Sequence, residues 1–184
     1  ELDGEQEDQR EAMGSLVFGF VFALFAIYAL LAIPFKSYAQ PLIIMTSIPF
    51  GMIGAVAGHI VMGYELSVIS MFGIIALSGG VVNDSLILVH TANHNRWAGA
   101  SHLESIFEAS LRRFRPIVLT SLTTFLGLAP MIFETSLQAR FLIPMAISLG
   151  FGIVFATVVT LIIVPALYGV IADVSRLFGR DRAR

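Results

Sequence analysis

Residues 141–172 read FLIPMAISLGFGIVFATVVTLIIVPALYGVIA, a run without a single Asp, Glu, Lys or Arg. A helix needs about 20 apolar residues to cross a hydrocarbon layer of roughly 30 Å. This stretch is long enough to cross and to extend into the interface, with tilt taking up the excess. The same reading applies upstream. Ala12 to Phe35 carries no charge, and neither do Leu66 to Asn83 and Pro116 to Phe133, while Ser37 to Tyr64 holds only the titratable His59. The runs lack the strict apolar/polar alternation of barrel strands. The chain has 184 residues, 57% hydrophobic and 13% charged, against about 25% charged in a soluble domain. It therefore reads as all-α, a polytopic membrane helix bundle of about five transmembrane helices plus one amphipathic surface helix.

The spans are expected at about 13–33, 41–62, 67–90, 116–133 and 141–165, within a bundle covering 12–172. Pro49 should kink the second span by removing a backbone hydrogen bond. Gly54 and Gly58 form a small-xxx-small pair suited to close helix approach. Ser101 with Glu104 is a capping box. Leu103, Ile106, Phe107, Leu111 and Phe114 follow at helical spacing, so 101–114 reads as an amphipathic helix on the membrane surface, with Pro116 opening the next span. Residues 1–11 hold six of the thirteen acidic residues, start at Glu1 rather than Met, and read as either a frayed tail or the severed end of a linker from a preceding water-soluble domain. Residues 173–184 read as a basic cytoplasmic tail.

Five spans put nine basic residues on one side (Lys36, Arg96, Arg112, Arg113, Arg115, Arg176, Arg180, Arg182 and Arg184) and only Arg10 and Arg140 on the other. The positive-inside rule then places the N-terminus outside and the C-terminus in the cytoplasm. Cysteine is absent, which excludes disulfides and thiolate metal sites. His90 and His94 share a helical spacing but have no further ligand near in sequence, so no metal site is expected. No phosphate-binding loop or nucleophile–base spacing is present, and no enzyme activity, cofactor or nucleic-acid partner is expected.

Asp84 is the one carboxylate inside a span. Placing a charge there costs on the order of 3 kcal/mol, and such groups normally face the bundle interior on ion or proton paths. Asn83 and Ser85 flank it, and Gly79-Gly80 could admit a helix or water. Thr120, Ser121, Thr123 and Thr124 lie at comparable depth on the fourth span. They could bond Asp84 and relay a proton, or bond their own helix carbonyls. Arg112, Arg113 and Arg115 read first as headgroup anchors.

The segment Gly79-Gly80-Val81-Val82-Asn83-Asp84-Ser85-Leu86-Ile87-Leu88-Val89 resembles the tenth helix of resistance-nodulation-division efflux pumps. Arg113-Phe114-Arg115-Pro116-Ile117-Val118-Leu119-Thr120-Ser121-Leu122 resembles the start of their eleventh, and Ile33-Pro34-Phe35-Lys36-Ser37-Tyr38 the link between eighth and ninth. The resemblance spans about Arg10 to Asp173. It implies helices eight to twelve of a homotrimeric bacterial inner-membrane pump, working with its own N-terminal half and periplasmic domains, a periplasmic adaptor and an outer-membrane channel. The implied activity is substrate/H⁺ antiport exporting drugs or other small molecules, driven by the proton gradient. It also implies a proton relay of Asp84, Asn83, Thr120 and Arg113, to which the neighbouring hydroxyls of Ser85, Ser121 and Thr124 are added as supporting residues from their own positions in the sequence. Asn83 stands where many members carry a lysine, so the family's usual lysine–aspartate pair cannot form as such. Two other readings compete: a related secretion-assisting membrane protein, and a non-transporting sterol- or lipid-sensing membrane module.

Overall fold

The computed structural model describes residues 2–136 and 139–177. They form six helices: α1 (Leu2–Phe35), α2 (Ala39–Met45), α3 (Ser47–Met62), α4 (Val68–Trp97), α5 (His102–Ile132) and α6 (Ile143–Leu177), with a short 3₁₀ turn at Ala139–Phe141 before α6. No strand occurs among the described residues. Five stretches are long and apolar enough to cross a membrane, with α2 and α3 together making one of them, Ala39–Met62. The bundle is multi-pass and all-α.

Helix α6 is the axis, packed against α3, α4 and α5. Glycine makes this possible at specific places. A Cβ on Gly54 would sit 2.5 Å from Phe155 Cβ and 3.0 Å from the Phe151 carbonyl oxygen. One on Gly58 would lie 2.5 Å from Phe151 Cβ, and one on Gly73 would lie 2.5 Å from the Met145 carbonyl oxygen. The α3 and α4 backbones therefore lie directly on α6, the arrangement that small residues permit where no hydrophobic force drives helices together. Ala55, Ile74, Leu77, Val81, Ile153 and Ala156 close the middle of the core.

Several boundaries differ from those read in the sequence. Residues 2–11, read as either a frayed tail or the severed end of a linker, are backbone-helical and continue into the first span. The segment is rich in Glu, Gln, Asp and Arg and has no proline, so a helix already nucleated in the apolar span can propagate through it. The break expected at Pro49 lies at Thr46, one turn earlier. Pro49 offers no N–H to the Met45 carbonyl, while Thr46 keeps its backbone bond to the Leu42 carbonyl at 3.0 Å and its hydroxyl adds a bond to the Ile43 carbonyl at 2.6 Å.

The surface helix at 101–114 is not a separate element. It is the first half of α5, which runs through Pro116 without interruption. Pro116 removes only the bond to the Arg112 carbonyl, while its fixed φ already suits a helix. One face, carrying Ser105, Ile106, Ala109, Ile117 and Ser121, is buried along both halves and keeps them collinear. The capping boxes at Ser101/Glu104 and Ser67/Ser70 are both formed.

α4 runs past the expected end at 90 to Trp97, and α6 runs past 165 to Leu177. The rest of the expected tail, with Arg180, Arg182 and Arg184, lies outside the described residues. Helix α1 stands apart from the others. It touches the core along Phe20, Leu24, Ile27, Leu31 and Phe35, while Phe18, Phe22 and Phe25 are about 70% exposed or more.

Candidate functional site

Asp84 lies in the second half of α4, seventeen residues from the Ser67 cap and so about 25 Å along the helix. Its side chain is only 8% exposed, and it makes no hydrogen bond or ion pair with any described residue. The next residue, Ser85, is fully buried and shares a 2.7 Å hydrogen bond with the hydroxyl of Ser47 at the start of α3. That bond pins the α4 backbone next to Asp84 to the helix break at Thr46.

Asn83 turns the other way. It lies exposed on a stripe of α4 made of Phe72, Ala76, Gly79, Asn83, His90 and His94. The steps of three, four and seven residues match one helical face. A Cβ at Gly79 would meet nothing within 4 Å. This face, on which Asp84 borders, is thus bare along most of α4.

The threonines of α5 do not reach Asp84, contrary to the relay contact considered from the sequence. Thr120 is exposed, and its hydroxyl donates to the Pro116 carbonyl at 2.9 Å. Thr123 and Thr124 likewise donate to carbonyls one turn back in their own helix. Each hydroxyl carries one proton, and with no acceptor beside it the nearest is its own backbone. Ser121 faces inward, and its hydroxyl bonds that of Thr157 on α6.

Arg113 does reach across to α4. Its Nε donates to the Thr91 hydroxyl at 3.0 Å, and that hydroxyl donates to the Ile87 carbonyl. Arg113, Ile87, His90 and Trp97, with Phe35 from the end of α1, line a cavity of about 520 Å³. Ile87 is one helical turn from Asp84, but Asp84 itself does not line this cavity.

Two polar networks lie away from this site, and of their members the sequence singled out only His59. His59, 2% exposed, donates through Nδ1 to the Ala55 carbonyl at 2.9 Å, which leaves Nε2 to pair with the Ser70 hydroxyl at 2.8 Å. At the other end, Asn93 exchanges two hydrogen bonds with Gln40 and accepts a third from the Tyr168 hydroxyl at 2.8 Å, joining α2, α4 and α6. A polar residue set in an apolar run is the signal that could have flagged them. Their partners are distant in sequence, so the pairing itself left no trace there. No group of three or more His, Cys, Asp or Glu suited to a metal occurs among the described residues.

Comparison with known proteins gives this geometry a relative. The family model described as the AcrB/AcrD/AcrF family matches residues 1–172. The chain belongs to the AcrB/AcrD/AcrF family. This agrees with the resistance-nodulation-division motifs around Asp84 and Arg113, and it makes the chain part of the membrane domain of such a transporter. Two crystal structures of a heavy metal efflux pump share its fold. One superposes with a TM-score of 0.80 at 29% identity over 90% of this chain, and the other with 0.77 at 30% identity over 91%. The chain spans about 16% of the length of each of those pumps.

Proposed function

We propose that this chain is the second half of the membrane domain of a proton-driven efflux pump, with Asp84 as a group whose protonation shifts helix packing. The observation that carries this reading is the position of Asp84. It is almost buried, without a partner in its own half-bundle, and at the border of the bare α4 face of Ala76, Gly79 and Asn83. That face is the place for the pump's first half to dock. Once covered there, an ionised carboxylate would lose its remaining water. Its protonated form would then be favoured unless a charge or donor arrived with the docking helices. Two packings that differ in that environment bind the proton differently, which is the requirement for coupling.

Asn83 sets the chemistry apart from the lysine-bearing members. Its amide can donate hydrogen bonds to a carboxylate but brings no charge, so the relay would rest on acids rather than an ion pair. Thr120 and Thr124 would serve from the exposed face of α5 toward helices of the other half. Arg113 would stand at the mouth of a cytoplasmic proton exit, with Ser85 holding the α4 backbone in place. The orientation follows the arginines, N-terminus periplasmic and C-terminus cytoplasmic in the bacterial inner membrane. A trimeric assembly with an adaptor and an outer-membrane channel, exporting a small solute, belongs to the same proposal and is supported by the family. The named cargo of the heavy metal pumps is not extended to this chain.

The decisive experiment replaces Asp84 by Asn in the intact pump. Expression and membrane insertion should stay near normal while proton-coupled export falls to the level of cells without the pump. Undiminished export would refute the role of Asp84.

A further inference from the structure

The outer side of the α5–α6 pair carries a groove that the relay does not use. Phe114, Val118 and Leu122 of α5 form one wall and Val154, Val158 and Ile162 of α6 the other, around about 400 Å³. Its floor is the Ser121–Thr157 pair, in which one hydroxyl donates to the other and the second donates to a carbonyl of its own helix, so that both protons are used. The surface offered is therefore apolar. Val118 lies about 200° around the helix from Thr120, so the groove looks away from the relay face.

The three arginines beside it are used in three ways. Arg112 pairs with Glu108 at 3.4 Å on the surface, and Arg113 turns to Thr91. Arg115 is exposed and has no hydrogen-bond or ion-pair partner among the described residues. It stands one turn before Val118, on the stripe that continues through Val118 to Leu122. From Arg115 to Leu122 the groove descends about 10 Å, inside a single leaflet of roughly 15 Å. Leu161 also borders a second hollow, whose lining includes the acid Glu104. That acid is about 16 Å along α5 from Arg115.

We propose that this groove binds one acyl chain of an anionic phospholipid of the cytoplasmic leaflet, with the lipid phosphate on Arg115. A planar guanidinium with free donors at the head of an apolar slot matches a phosphate ester joined to a hydrocarbon chain. The inference needs the bundle to sit in a membrane with its arginine end in an anionic leaflet. It does not need Asp84 to titrate.

The test uses the intact pump in vesicles of mixed phosphatidylglycerol and phosphatidylcholine. A benzophenone amino acid is placed at Leu122, on the groove rim, and in a parallel protein at Phe22, on the bare face of α1. At Leu122 the captured lipid should be enriched in phosphatidylglycerol about fivefold over Phe22, the effect of one basic residue at a membrane surface. Arg115→Gln should erase the enrichment, and Val158→Trp, which fills the slot, should reduce capture at Leu122 altogether. The Asp84→Asn pump should show the same enrichment, which separates this proposal from the proton relay. Equal lipid composition at the two positions, a polypeptide adduct at Leu122, or enrichment surviving Arg115→Gln would each overturn the proposal.

Discussion

Ser47 and Ser85 show how a membrane interior uses hydroxyls. Each is almost fully buried, and each satisfies the other across two helices. In lipid such a bond adds little, because the unfolded helices also find partners; the measured average is about 0.6 kcal/mol and the maximum about 1.7. Ser85→Ala should therefore lower the thermal stability of the purified protein only slightly. A larger loss of export than of stability would mark Ser85 as a positioning residue for Asp84. His59 is a stronger case, since both ring nitrogens are engaged at 2% exposure. His59→Ala removes the acceptor of the Ser70 hydroxyl proton and the side-chain donor to the Ala55 carbonyl, while Ser70 still accepts from the Ser67 backbone N–H, so it should destabilise by about 0.5–1.5 kcal/mol, read as a fall in the unfolding midpoint. Glu134, beyond the end of α5, is held below its usual 4.5 first by the Ser136 backbone N–H and then by that of Thr135. The folded value is depressed, so these bonds persist above 4.5 and are lost as pH falls through the lower, folded value. Amide exchange at Ser136 should accelerate only in that more acidic range.

At the level of elements, the α3–α6 contact is set by backbone proximity, as the α4–α6 contact is at Gly73. A side chain at Gly54 has nowhere to go, because the Phe155 Cβ and the Phe151 carbonyl belong to the main-chain wall of α6. Gly54→Val should push the helices apart and destabilise by about 1–3 kcal/mol. Gly19, on α1, meets nothing within 4 Å, so Gly19→Ala should leave the same unfolding measurement unchanged or slightly raised. The pair separates packing from propensity within one protein. The sequence already marked Gly54 and Gly58 as a close-approach pair. It could not say that the partner was α6 rather than α4, since that choice depends on how the hairpins fold back on one another. The fusion of the expected surface helix with the fourth span has the same origin. Proline makes a boundary at 116 reasonable locally, and packing of Ile106, Ala109, Ile117 and Ser121 on one face overrides it.

For the whole molecule, the bare faces are as informative as the core. Much of α1 and the Ala76–Gly79–Asn83 stripe of α4 remain uncovered. In the intact pump, Gly79→Phe should leave this half-bundle's own contacts intact, because nothing lies within 4 Å of the added Cβ. It should nevertheless abolish export and lower the stability of the complete membrane domain, if the α4 face receives the other half. Retention of both properties would show that the face looks onto lipid.

Span number, helical class and the isolation of one acid in an apolar run were all decided by composition along the chain. The cost of burying charge and unpaired backbone in hydrocarbon allows few alternatives, and each of these properties is local in sequence. Which hydroxyl meets which neighbour was decided only in three dimensions. Thr120 and Thr124 bond backward into α5, Ser121 meets Thr157, and Arg113 finds Thr91, because a helix rotates its residues by about 100° at each step. A shift of one position therefore moves a side chain from the interior to a bare face, and only the packing of α4, α5 and α6 against one another sets that rotation.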